Sequence, residues 1–367
     1  TCVHSQSKAV KDFQFDVVVM DEASQALEPE IIAALSGRKV SQLVLVGDPY
    51  QNRPVAKSQA IRQSSLHKSL MERLLHSKFH CVQFTVQNRM LSKLADFARK
   101  YIYESYNDGE PVKNLQPLDI PFWRIHPSWL VHVPSVEVLS DKRSFHNYGS
   151  TLNAIQLCKA LLATGKLQGK QIAIITAYAE DKRSLENQMQ EQVSKLQGSK
   201  KRKNEQDCFP PSASTIPSTT VVDNNQQFTI QEIPPSPVSN NNNTTNGFKF
   251  DPKDLENVQI KTVDAFQGQE ADFVIFCTVR SNLEANVGFL KMPQRLNVAF
   301  SRAKLGVLIL ANVWCMWNSC DLWKCIIRDH IQQNHYLQSV YDVLNLPEFQ
   351  QRVGQESNYV RNKKAKK

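Results

Sequence analysis

The segment Phe15-Asp16-Val17-Val18-Val19-Met20-Asp21-Glu22 runs a short, branched apolar stretch straight into two acids. Stretches of that kind form strands buried on both faces, as in parallel sheets clad by helices. The paired carboxylates then fall at the C-terminal edge of the sheet, where open α/β folds bind their ligands. Leu43-Val44-Leu45-Val46 repeats the pattern and runs into Gly47-Asp48-Pro49-Tyr50-Gln51, a turn at the same edge.

Helices are expected between these strands. Pro29 suits the first turn of one that carries Ile31, Ile32 and Leu35, and residues 68–76 form another with Leu70, Met71, Leu74 and Leu75 on one side. Leu94, Phe97, Ala98 and Tyr101 fall at helical spacing, and Ser150 is placed to cap a helix burying Ile155, Cys158 and Leu162. Strands are expected at 172–175, 258–263, 273–279 and 306–310. Alternation of this kind predicts a three-layer α/β architecture. Two such units are expected, at 1–78 and at 79–196 with 251–345, the first of them incomplete.

Residues 197–250 break the grammar. Six of the 17 prolines fall between 210 and 237, and Asn240 to Asn243 form an unbroken polar run. That stretch has too little apolar surface to offset chain entropy, so a disordered insertion is expected. Lys200-Lys201-Arg202-Lys203 at its front, and the lysines of a basic tail at 346–367, suit nuclear import, phosphate gripping or plain solvation. They favour the nucleus over the cytoplasm as the compartment. The net charge of +9 favours acidic partners such as nucleic acid, and the 41% hydrophobic content excludes a wholly disordered chain. The eight cysteines include no CxxC, so core packing and a reduced intracellular setting are expected. No apolar run is long enough to span a membrane.

Read alone, Asp21 suits a Mg²⁺ ligand and Glu22 a base for an attacking water, although an ordinary helix N-terminus also explains the pair. Gln51 is placed to reach a γ-phosphate or its water, and a plain strand-to-loop turn is the competing account.

Longer matches carry more. Asp21-Glu22-Ala23-Ser24-Gln25-Ala26-Leu27-Glu28-Pro29 resembles the Walker B segment of superfamily 1 helicases, in the branch of the nonsense-mediated-decay RNA helicase and senataxin. Leu45 to Gln51 resembles that branch's coupling motif, Ser69-Leu70-Met71-Glu72-Arg73-Leu74 its Ser-Leu-Phe-Glu-Arg-Leu helix, and Gln87-Asn88-Arg89-Met90 its Gln-Tyr-Arg-Met motif. Ile174 to Tyr178 echoes a Thr-Pro-Tyr segment. Thr262-Val263-Asp264-Ala265-Phe266-Gln267-Gly268-Gln269-Glu270 resembles the fifth motif, and Arg295-Leu296-Asn297-Val298-Ala299-Phe300-Ser301-Arg302-Ala303-Lys304 the sixth.

The resemblance implies two RecA-like parallel-sheet domains and an ATP-dependent helicase or translocase acting on single-stranded RNA or DNA. It implies that Asp21 coordinates Mg²⁺, Glu22 activates water, Gln51 senses the γ-phosphate, and Arg89 and Arg302 act as arginine fingers. Gln87, Gly268 and Glu270 would contact the nucleotide, with Glu270 on the ribose. Thr176, Tyr178 and Thr262 would contact the strand.

The sequence departs from the family in places. No GxxxxGK[ST] occurs, since Gly165-Lys166 and Gly169-Lys170 lack its spacing and its hydroxyl. This implies the C-terminal portion of a longer protein, with weak ATP binding and no unwinding on its own. Asn88, Leu91-Ser92, Ala177 and Asn52-Arg53-Pro54 replace family residues without deleting a catalytic charge. The competing function is a non-catalytic nucleic-acid- or protein-binding scaffold on a decayed helicase fold.

Overall fold

The computed structural model describes residues 2, 7, 10, 12–56, 58–198, 219–223, 226–230 and 250–346. The chain forms two compact units. One gathers residues 1–117, 261–274 and 288–307, and the other 118–260, 275–287 and 308–367.

In the first unit, strands Val17–Met20 and Gln42–Leu45 pair in parallel, with Val17 opposite Gln42 and Met20 opposite Leu45. The helix Glu28–Leu35 lies between them in sequence, with Pro29 in its first turn and Ile31 and Ala34 buried. The register brings the ends of both strands side by side, so Asp21-Glu22 and the turn at Gly47 share one sheet edge. Val17, Val19, Val44 and Val46 are exposed. A parallel sheet is normally covered on both faces. This two-stranded sheet leaves an apolar side bare. The helix Leu70–His76 starts at Ser69, whose hydroxyl accepts from the Glu72 N–H at 3.0 Å.

The larger sheet has six parallel strands in the order Gln259–Thr262, Ile172–Thr176, Ala271–Cys277, Ala303–Ala311, Ser128–His132, Tyr336–Leu337. All five residues of Ile172–Thr176 are buried, the sign of a central strand. Helices Tyr148–Ala163 and Ala179–Gly198 pack against one another.

Some elements fall elsewhere than expected. Strand 273–279 begins two residues earlier, at Ala271, and ends at Cys277. The helix around Leu94 is a 3₁₀ turn, Ser92–Ala95, followed by the α-helix Asp96–Tyr101. Strands Ser128–His132 and Tyr336–Leu337 were not anticipated, because a five-residue and a two-residue run carry little periodicity. Within the insertion, the described residues include an antiparallel hairpin, Thr219–Asp223 with Gln226–Ile230. The basic run at 200–203, the tetra-Asn run and the tail from 347 lie outside the described residues. Cys158, Cys277 and Cys315 are buried, whereas Cys320 and Cys325 are half-buried.

The cap of Tyr148–Ala163 is Asn147 and not Ser150. Its Oδ1 accepts from the Ser150 N–H at 3.0 Å, while its Nδ2 donates to the carbonyls of Ser135 at 2.8 Å and Val279 at 3.0 Å. An amide accepts and donates at once, which a serine in the first turn cannot do for three partners. Asn147→Ala should therefore cost about 2–4 kcal/mol, from a lost cap and two stranded carbonyls. Ser150→Ala should cost under about 1 kcal/mol. Urea denaturation of both variants measures the difference.

Candidate functional site

The site lies within the first unit. Glu22 adopts a left-handed backbone, φ 52°, as the chain leaves the strand for the 3₁₀ turn Ala23–Gln25. That turn swings its carboxylate back over the strand ends. Oε2 accepts from Gln267 Nε2 at 2.8 Å and Gln25 Nε2 at 3.1 Å. Asp21 is exposed, with Oδ1 taken by the Glu22 N–H at 2.9 Å.

The coupling turn is pressed against this segment. The Ala23 N–H donates to Val46 O at 2.9 Å, and a Cβ on Gly47 would come within 3.0 Å of Ala23 N and 3.1 Å of Ser24 N. A Cβ there would be tighter than ordinary contact and would press these backbone atoms back by a few tenths of an ångström. Asp48 then folds the turn: Oδ1 accepts from the Tyr50 N–H and Oδ2 from Gln51 Nε2, each at 2.9 Å.

Arg302 follows the helix Pro293–Phe300 and is 1% exposed. Its Nε donates to Val298 O at 3.0 Å, Nη1 to Gln269 O at 3.4 Å, and Nη2 to Gln51 Oε1 at 3.1 Å and Ser301 Oγ at 2.9 Å. Every one of these acceptors is uncharged. Burial, and secondarily the charge of Arg89, holds its pKa down to about 10, so it remains a cation at neutral pH. Arg89 is paired: Nε donates to Glu270 Oε2 at 2.9 Å and Nη1 to Ser301 O at 3.0 Å. Lys304 Nζ meets the other Glu270 oxygen at 2.6 Å. The hydrogen bond from Lys304, and then that from Arg89, hold the Glu270 carboxyl below its usual range against an opposing cost of burial.

Other expected residues are placed as follows. Gly268 has φ +77°, and a Cβ there would face Glu22 Oε1 at 3.7 Å. Gln87 is buried and fully engaged: Nε2 donates to Met90 O at 2.9 Å and Asp108 Oδ1 at 2.6 Å, while Oε1 accepts from the N–H groups of Arg89 and Met90. It shapes the Arg89 loop and has no capacity left for a base. Thr262 Oγ1 accepts from the Ala265 N–H, within the turn Asp264–Phe266, at 3.3 Å.

Two of the expected strand contacts lie in the second unit. Thr176 is 0% exposed and donates to Asp181 Oδ2 at 2.6 Å, so it is interior and not open to a strand. Burial raises the Asp181 pKa to about 6, opposed first by the Thr176 bond. Tyr178 is half-buried, and its hydroxyl accepts from Arg280 Nη1 at 3.2 Å.

Sequence reading overlooked Asp48, Gln267, Asn297, Lys304 and Tyr103. The first four lie inside quoted motifs, so their position was the available signal. Tyr103 lies outside every motif. Burial, and then Asp48, push its phenol far above the ordinary range, so it stays an O–H donor.

No group of three or more His, Cys, Asp or Glu side chains gathers to hold a metal among the described residues. The exposed Asp21 fits Mg²⁺ nonetheless, because that ion keeps several waters and needs only one or two carboxylates beside substrate phosphates. Among the described residues no helix is long and apolar enough to cross a membrane.

A family model of AAA domains (AAA_12) matches residues 66–313, more than half of the chain, and a second AAA-domain model (AAA_11) matches residues 1–59. The regulator of nonsense transcripts 1 of Caenorhabditis elegans is 29% identical over 341 residues, covering 92% of this chain and 26% of that protein. The ATP-dependent helicase NAM7 of Saccharomyces cerevisiae is 28% identical over 353 residues, covering 94% of this chain and 30% of that protein. The ATP-dependent helicase upf1 of Schizosaccharomyces pombe is 28% identical over 319 residues, covering 85% and 28%. The chain spans about a quarter of the length of the relatives it matches.

Two outcomes follow from the geometry. Gly47→Ala should destabilise the first unit by about 1–3 kcal/mol, read by urea denaturation, since backbone atoms must shift to admit the new methyl. Glu270 has a depressed folded pKa, so its contribution is whole above its ordinary value of 4.5 and is lost as pH falls through the folded value. Between about pH 5 and pH 3 the thermal midpoint should fall less in Glu270→Gln than in the parent.

Proposed function

This chain belongs to the AAA-domain family, in the superfamily 1 helicase branch that includes the regulators of nonsense transcripts, and we propose on that footing that its site hydrolyses ATP to drive movement along single-stranded RNA or DNA. The observation that supports this best is Arg302. A guanidinium buried among neutral acceptors is costly, and the triphosphate of a nucleotide is the anion that would offset it.

Each remaining residue then has a defined task. Asp21, through water, would hold Mg²⁺, which would supply positive charge against the substrate phosphates. Glu22 takes the proton of the attacking water, its carboxylate aligned by Gln25 and Gln267. Gln51 orients that water while its Oε1 holds Arg302. Arg302 and Arg89 stabilise charge on the transferring phosphoryl, and Arg89 must leave Glu270 to do so. Glu270, held ionised by Lys304, would accept a ribose hydroxyl on the oxygen that Arg89 vacates. Glycine-rich phosphate-cradling residues would come from outside these 367 residues, which carry no GxxxxGK[ST].

A scaffold is the second reading, and the lack of that loop in this sequence is what favours it. ATP hydrolysis by the full-length protein that carries these residues decides between the two. Turnover should rise on adding single-stranded RNA or DNA. Glu22→Gln should lower kcat by about 10²- to 10⁴-fold with nucleotide binding retained, and Arg302→Ala by about 10³-fold or more. Absence of ATP hydrolysis with every strand would establish the scaffold, whereas turnover indifferent to strands would overturn the coupling to movement, and turnover unchanged in Glu22→Gln would overturn the role given to Glu22.

A further inference from the structure

Tyr103 stands just beyond the helix Asp96–Tyr101, in a segment that matches none of the motifs, yet its hydroxyl reaches the centre of the site. It donates to Asp48 Oδ2, the oxygen that also accepts from Gln51 Nε2 at 2.9 Å. It accepts from Asn297 Nδ2 at 2.8 Å, and the same Asn297 nitrogen donates to Tyr50 O at 3.0 Å. Asn297 is fully buried in the helix that leads to Arg302. A continuous path therefore runs from Arg302 through Gln51 and Asp48 to Tyr103 and Asn297, and back to the coupling turn at Tyr50.

The path holds the Gln51 amide from its donor side, as Arg302 holds it from its acceptor side. The Gln51 amide has one acceptor and two donors, and its rotation about the last bond costs little. It presents Oε1 to Arg302 only while Nε2 is held by Asp48. Asp48 in turn has one oxygen on the Tyr50 N–H and the other shared by Gln51 and Tyr103. Take away the phenol, and only the Tyr50 N–H and Gln51 itself hold the carboxylate, so its grip on the Gln51 amide loosens. Arg302 is then held less firmly by the one side chain of the coupling turn that it touches.

We propose that Tyr103 is a positioning residue for ATP hydrolysis, setting the Gln51 amide and through it the Arg302 guanidinium by way of Asp48. The inference rests on the reading of the site as an ATPase and adds a residue to it. Tyr103 touches no substrate atom. Its ring also stacks on Tyr106 with centroids 4.8 Å apart and meets Tyr50 edge-on at 5.6 Å, contacts that phenylalanine preserves. Tyr103→Phe therefore removes the hydroxyl and leaves the packing.

The experiment measures strand-stimulated ATP hydrolysis by the full-length protein, comparing wild type, Tyr103→Phe, Asp48→Asn and the double variant, with a thermal melt of each. Misplacement of catalytic groups by about an ångström costs on the order of 10²-fold, so kcat in Tyr103→Phe should fall about 10- to 100-fold. KM for ATP should stay within about twofold, because the groups act in the transition state. The double variant should be no slower than the slower single variant, since both residues act on one amide. An active wild type matched within about twofold by a well-folded Tyr103→Phe overturns this proposal alone. So does a loss confined to KM, or losses in the double variant that simply multiply. If Tyr103→Phe melts early, Asn297→Asp substitutes for it: it keeps the helix and turns an N–H donor into an acceptor facing the phenol, and kcat must still fall with KM held. A wild type that hydrolyses no ATP with any strand overturns the ATPase reading and this proposal with it.

Discussion

Arg302 is 1% exposed, and each of its donors ends on an uncharged oxygen. Removing a permanent cation from water costs several kcal/mol unless an anion replaces the solvent. Neutral acceptors recover part of that, and Glu22 adds a favourable field without touching the guanidinium, while Arg89 adds an unfavourable one. The rest of the first unit is organised around this unresolved charge. The helix Pro293–Phe300 delivers the side chain, which folds back on the carbonyl of Val298. The coupling turn is fastened to it through Gln51, and the Gly268 loop through Gln269 O. Such an arrangement is stable enough to fold and poor enough electrostatically to favour an incoming polyanion.

The second arginine is handled differently. Arg89 is partly exposed and held by Glu270, which Lys304 also grips. An exposed pair of this sort is worth little by itself, so releasing it to another anion costs little. Storing one guanidinium in burial and the other in an ion pair gives the site two cations, whose mutual repulsion Glu270 and Glu22 offset only in part. Glycines permit the crowding that this requires. Gly47 lets one loop lie on the backbone of Ala23 and Ser24, and Gly268, in a left-handed conformation, faces the Glu22 carboxylate.

The second unit shows polar groups used for architecture. Thr176 and the main-chain N–H of Asn147 donate to Asp181, which is thereby kept within a closed interior. Arg280 is buried with Glu137, which also accepts from the Ser281 N–H and from Asn282, and its guanidinium lies over the Phe145 ring at 4.0 Å. These groups lie at the ends of Ile172–Thr176 and Ala271–Cys277, two interior strands of the sheet. Tyr178 is held by the same arginine and is half-buried. Of the two residues in this unit expected to contact a strand, Thr176 is interior and Tyr178 is half-buried.

The α/β class, the strands ending at Asp21 and Gly47, and the family were legible in the sequence, because apolar periodicity and motif order are local properties of a chain. So were Glu22, Gln51, Arg89, Glu270 and Arg302 as candidates, each standing inside a run whose neighbours identify it. Tertiary structure alone decided what those side chains touch. Nothing in the order of residues shows that Gln87 spends its whole amide on its own loop, that Thr176 points inward, that Asn147 and not Ser150 caps its helix, or that a tyrosine outside every motif joins Asp48 to Asn297. Burial and hydrogen-bond partners come from segments far apart in sequence, and a polar side chain's task is set by which of its donors and acceptors the fold has already satisfied.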